Sequence, residues 1–134
     1  MKRTSLTLTL MLVVLSFAVQ ASAQNRVLGR VNVPFTFTAN GQQLPAGNYE
    51  LWEIGRDFVR LYNAATTQGV MLHIPQQITD SYPISFVFHL YGNSSFLVAV
   101  AAPSDEVSLP KSQSEKELAA AAANLKTVAL QVKH

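Results

Sequence analysis

From residue 26 onward, apolar residues recur at alternate positions rather than at helical spacing. Val31, Val33, Phe35 and Phe37 fall on one side and Asn32, Pro34, Thr36 and Thr38 on the other, which predicts a half-buried strand. Pro34 has no N–H to give to a neighbouring strand, so a sheet edge or a bulge is expected there. Asn40-Gly41 and Leu44-Pro45-Ala46-Gly47 read as turns. Asn48 to Ile54 and Phe58 to Tyr62 are the predicted arms of a hairpin across Gly55-Arg56-Asp57. A fourth strand is expected through Val70, Leu72 and Ile74, running on toward Ile78. Ser85 to Tyr91 is the fifth, with Phe86, Phe88 and Leu90 facing in and Val87, His89 and Tyr91 facing out. Ser95 to Ala101 follows as the sixth after the Gly92-Asn93 turn.

The pattern then changes. Asp105 to Pro110 reads as a loop. Ser112-Gln113-Ser114-Glu115 and Ser114-Glu115-Lys116-Glu117 are overlapping capping boxes, and alanines fill positions 119–123, so a helix is predicted over about 114–123 with Asn124 as its stop. Leu118, Ala122, Leu125, Ala129 and Val132 would continue a helical stripe, but Val128, Leu130 and Val132 also alternate with Thr127, Gln131 and Lys133. β-Branched content favours a terminal strand over 126–133, expected to pair with the first strand. The fold class is all-β, mainly antiparallel: a small sandwich or partly open barrel of about seven strands with one short helix.

The segment ahead of this domain has a different logic. Lys2-Arg3, the apolar stretch from Leu6 to Val19 and the small residues Ala21-Ser22-Ala23 are, in order, the three parts of a secretory signal. Cleavage is expected between Ala23 and Gln24, leaving 24–134 as one extracytoplasmic domain, periplasmic or secreted. The apolar stretch is shorter than the ~20 residues of a spanning helix, so no stable membrane insertion is expected after cleavage.

Composition narrows the partners. The chain has ten Lys and Arg against eight Asp and Glu. Lys2 and Arg3 account for the surplus, so the exported domain is neutral. A neutral balance without a basic cluster excludes nucleic acid as an expected partner. The chain has no cysteine, so its core must stabilise it without disulfides.

Candidate chemistry is sparse. His73 and His89 lie on strands that read as possible neighbours, but a metal site needs three or four ligands and no third is spaced for it; Asp57, Asp80 and Glu106 are scattered. Glu50 and Glu53 fall on opposite faces of one strand, so they do not pair for acid/base work. No G-x-S-x-G, H-E-x-x-H or phosphate-cradling glycine loop occurs. No metal, cofactor or catalytic residue is assigned. Trp52, Tyr82, His89 and Tyr91 are aromatics at partly exposed positions, and Trp52, His89 and Tyr91 are the candidate binding residues. Asn93-Ser94-Ser95 matches a glycosylation acceptor in a turn.

Three stretches carry a family resemblance. They are Val31-Asn32-Val33-Pro34-Phe35-Thr36-Phe37 with Ala39-Asn40-Gly41 and Leu44 to Tyr49; Phe86 to Asn93 with Phe96-Leu97; and Leu109-Pro110-Lys111-Ser112 with Glu115, Glu117, Leu118 and Ala119. Together they resemble a group of small exported bacterial β-domain proteins, over nearly all of the exported part. The group often carries a basic residue where Leu90 stands and an aromatic where Ser95 stands. The resemblance implies a single β domain with a helix near its C-terminal end, and no activity. The expected function is a non-enzymatic module that binds a protein, a glycan or a small ligand. The alternatives are a small hydrolase-like enzyme built on His89 or His73, or an apolar-ligand carrier.

Overall fold

The computed structural model of the chain describes residues 25–121 and 124–133. The expected signal segment with its Ala23–Gln24 cleavage position lies outside the described residues, as do positions 122–123 of the predicted helix.

Two sheets face each other around one core. The first contains β1 (Arg26–Val33), β4 (Gly47–Ile54), β5 (Phe58–Asn63) and β6 (Gln68–His73), in the order β1-β4-β5-β6. The second contains β2 (Phe37–Ala39), β3 (Gln42–Leu44), β7 (Ser85–Tyr91), β8 (Ser94–Ala102), β9 (Asp105–Ser108) and β10 (Leu125–Gln131), in the order β10-β7-β8-β2-β3, with β9 also on β8. The pairings are antiparallel except for a parallel bridge from Thr38 of β2 to Phe96 of β8. A short helix α1 spans Gln76–Thr79 and a longer one, α2, spans Gln113–Ala121. The all-β sandwich is therefore as expected; the described residues do not form a closed barrel.

The ten described strands exceed the expected seven for local reasons. The first predicted strand is two. Its ladder with β4 ends at Val33↔Gly47, Pro34 offers no donor to continue it, and the chain crosses to the other sheet as β2. Asn40 (φ 49°) and Gly41 (φ 76°) both adopt left-handed backbone and fold β2 onto β3, the two-residue hairpin turn that favours Asn-Gly. The predicted loop at 105–110 begins as β9 instead, which turns back along β8. The fourth strand does not reach Ile78: Pro75 interrupts it, and Ile78 enters the core from α1.

The terminal strand exists, but its partner is not the one expected. β10 runs beside β7 along its whole length, from Leu125↔Tyr91 to Gln131↔Ser85. It meets the first strand only beyond its end, where Lys133 bridges to Arg30.

Val31, Val33, Tyr49, Leu51, Val59, Leu61, Val70 and Leu72 cover the inner face of the first sheet, and all are buried. Phe37, Phe86, Phe88, Leu97 and Val100 cover the inner face of the second. Phe37 joins them: its ring lies edge-on to Tyr49 at 5.4 Å and to Phe88 at 5.3 Å. Each fully buried side chain of this size stabilises the fold by about 1.5–3 kcal/mol.

Candidate functional site

Alternation that fills the inner face of the first sheet also determines what its outer face displays. With Leu51, Val59, Leu61, Val70 and Leu72 turned inward, Trp52, Ile54, Phe58, Arg60, Tyr62, Met71 and His73 are turned outward. Register then assembles them in rows across the strands. Val27, Trp52, Arg60 and Met71 form one row; Ile54, Phe58 and His73 form the next; Arg30, Glu50, Tyr62 and Gly69 form a third.

The face mixes apolar and aromatic side chains with charge, and several of its apolar side chains stand open. Phe58 is 46% exposed, Met71 43% and Val27 45%. The Arg60 guanidinium lies over the Tyr62 ring, 4.5 Å from its centroid, so a cation is held within the aromatic surface. The indole Nε1 of Trp52 donates to Glu50 Oε2 at 3.1 Å, and Glu50 Oε1 is 3.6 Å from Arg30 Nη2. Phe58 and His73 meet ring edge to ring face at 5.3 Å. Arg26 binds Glu53 at 2.7 Å and Asp80 at 3.2 Å along the β1 edge. Beyond the third row a cleft of about 780 Å³ carries Arg30, Asn32, Asn48, Asn63 and Lys133. Exposed aromatic, Met and Arg side chains gathered on one face are the residue types that recognition surfaces concentrate.

The three residues expected to bind together are separated. Trp52 belongs to this face. His89 and Tyr91 lie in β7 of the other sheet. Tyr91, expected to face solvent, is 8% exposed, and its ring lies edge-on to Phe96 at 5.9 Å. His73 and His89 are not on neighbouring strands either, since β6 and β7 belong to different sheets. Among the described residues no three His, Asp or Glu side chains gather as a metal site.

β7 and α2 enclose a different cluster. Glu115 is 2% exposed beneath the helix. Burial raises its carboxyl above the usual range, opposed by Lys111 and then His89. Burial, and secondarily Glu115, raises the Tyr91 phenol. His89 Nδ1 and Glu115 Oε1 are buried without hydrogen-bond partners.

Phe58, Arg60, Tyr62 and Met71 were absent from the sequence-derived candidates. The signal was present: they occupy the positions antiphase to the core residues of β5 and β6. Recognising it required the hairpin register, which aligns Trp52 with Arg60 and Met71.

A scan against protein-family models matches no family, and comparisons with the curated proteins and with the solved structures return no similar protein.

Proposed function

We propose that the chain is an exported, non-enzymatic interaction module whose working surface is the outer face of the four-stranded sheet, and that its partner is a protein. The carrying observation is the row Trp52–Arg60–Met71 flanked by Phe58 and Tyr62. Trp, Tyr, Phe, Met and Arg are the residue types that interfaces concentrate, because they bring large contact area at small entropic cost. Arg60 stacked on Tyr62 supplies a preorganised charge for a carboxylate or carbonyl on the partner. The group of exported β-domain proteins that the chain resembles, and the extracytoplasmic location read from its first 23 residues, belong to the same reading.

The test is affinity capture from the host's extracytoplasmic fraction with three baits: wild type, Trp52→Ala and Arg60→Ala. A Thr127→Ala bait, altered on the other sheet, serves as control. A protein captured by wild type and by the control, but reduced at least about tenfold with both face variants, supports the reading; tenfold corresponds to about 1.4 kcal/mol. Capture that survives both face variants overturns it.

A further inference from the structure

The four-stranded sheet has two edges, and the chain treats them differently. At β1, Arg30 and Lys133 exchange backbone hydrogen bonds and Tyr82 donates to Leu28 O. β6, at the other end, pairs with β5 alone among the described strands. Its phase in that ladder follows from the Ile74 N–H, which donates to Asp57 O at 2.9 Å. Partners exchange hydrogen bonds at every second position of an antiparallel ladder. Val70 and Leu72 therefore turn their backbone groups to β5, while Gly69, Met71 and His73 turn theirs to the open edge. Among the described residues, the one bond those edge groups receive is from Asn40 Nδ2 to Met71 O, at a long 3.4 Å. Native edges are ordinarily blunted by lysine, proline or a bulge. Gln68–His73 contains no Lys, Arg, Asp, Glu or Pro, and its register with β5 is unbroken.

Beside this edge lies a cleft of about 380 Å³, with Met71, Leu72 and His73 on one side and Val107, Leu109 and Pro110 on the other. Leu109 N donates to Val98 O at 2.8 Å, which fixes that far wall to β8. We infer that β6 is the docking edge for an extended segment of the partner protein, which adds antiparallel to the four-stranded sheet as a fifth strand and sets alternate apolar side chains into the cleft. Open N–H and C=O groups in a row are matched by another backbone. Strand addition accordingly takes its affinity from the main chain and its specificity from pockets beside it. Alternation gives the occupant its chemistry. Residues of the added strand opposite Met71 and His73 share their face and extend the outer surface. The residues between point to the Leu72 side, where Val107 and Leu109 offer apolar contact. A cleft walled opposite β6 admits one strand, whereas a second copy of this chain would bring an equal wall of its own. This mode of binding rests on the outer face being the working surface, because Met71 and His73 belong to both.

The probe is a fluorescein-labelled peptide, Thr-Val-Thr-Val-Thr-Val-Thr, with two backbone N-methylated twins, titrated into the purified chain and read by anisotropy. With valines in the cleft, the threonine N–H groups face β6 and the valine N–H groups face solvent. The unmodified peptide should bind saturably. Methylating the threonine nitrogens should weaken binding at least about tenfold, and methylating the valine nitrogens should not. Amide exchange at Met71 and His73 should slow on binding, while Val70 and Leu72, already bonded to β5, change little. Absence of saturable binding, equal affinity of the two twins, or unprotected Met71 and His73 amides would overturn the inference. So would protection of those amides that grows with chain concentration without peptide, which assigns the edge to a second copy. His73→Pro removes an edge N–H and no bond of the ladder, whereas His73→Ala keeps that N–H. As baits in the capture experiment the two should differ at least about tenfold. Capture that falls with Trp52→Ala and Arg60→Ala but is the same for both His73 baits overturns strand addition and leaves the outer face standing.

Discussion

Arg30 and Lys133 exchange both of their backbone hydrogen bonds: Arg30 N donates to Lys133 O at 2.7 Å, and Lys133 N donates to Arg30 O at 2.8 Å. This reciprocal pair links the β1 edge of one sheet to the segment following β10 of the other. It satisfies edge groups that would otherwise be open to pairing with another chain.

Gly29 makes the junction possible. A Cβ there would lie 2.5 Å from Lys133 O and 2.7 Å from Val132 Cγ1. Gly29→Val should therefore push the C-terminal segment away and destabilise the domain by about 1–3 kcal/mol, the range of overpacked sites. Chemical denaturation checks the magnitude. Accelerated hydrogen exchange at Arg30 and Lys133 beyond that of the core checks the location.

Tyr82 closes the other half of the β1 edge, donating its hydroxyl to Leu28 O. Leu28 is the extra residue of the bulge between Val27 and Gly29, and its side chain enters the core. Tyr82→Phe keeps the ring and removes the donor, so a loss of about 0.5–1.5 kcal/mol is expected in equilibrium unfolding.

Ser112 caps α2: its Oγ accepts the Glu115 N–H at 3.2 Å, the first half of a capping box. Ser112→Ala should cost about 1 kcal/mol. The loss should appear as faster amide exchange confined to α2, because that helix contributes few side chains to the core.

Core and face should separate cleanly in mutational tests. Leu61 is completely buried and Met71 stands on the outer face. Leu61→Ala should destabilise by about 2–5 kcal/mol through lost burial and the cavity it leaves. Met71→Ala should fall within about 0.5 kcal/mol of wild type, as surface substitutions do, and yet weaken partner capture. A face that is binding surface rather than scaffold predicts this contrast; equal destabilisation by the two would contradict it.

Three tyrosines should resist ionisation at alkaline pH. Burial is the first cause raising Tyr49, Tyr82 and Tyr91 above the ordinary phenol value. The folded chain therefore holds those protons more tightly than the unfolded chain. Stability should be insensitive to these groups below about pH 10, the ordinary phenol value, and decline as the pH rises past it. Ultraviolet titration of native protein against protein in denaturant should show delayed tyrosinate formation in the native state.

The strands themselves were legible along the chain because alternation is a local signal. Val31/Val33, Leu51, Val59/Leu61, Val70/Leu72 and Phe86/Phe88 are core residues by period alone. The Asn40-Gly41 turn and the Ser112 cap were equally readable, since each depends on residues within one or two positions. Which strands become neighbours is decided by contacts far apart in sequence. The chain changes sheets at Pro34 because its partner's ladder ends there. β10 joins β7 rather than β1. The binding candidates divide accordingly: Trp52 acquires Arg60, Met71 and Phe58 through cross-strand register, whereas His89 and Tyr91 lie in the other sheet, with Tyr91 buried. Sequence alone determined which residues face one way along each strand. Only tertiary structure decided which outward faces meet solvent, because exposure depends on what packs on top of a strand and the period-two pattern carries no record of that cover.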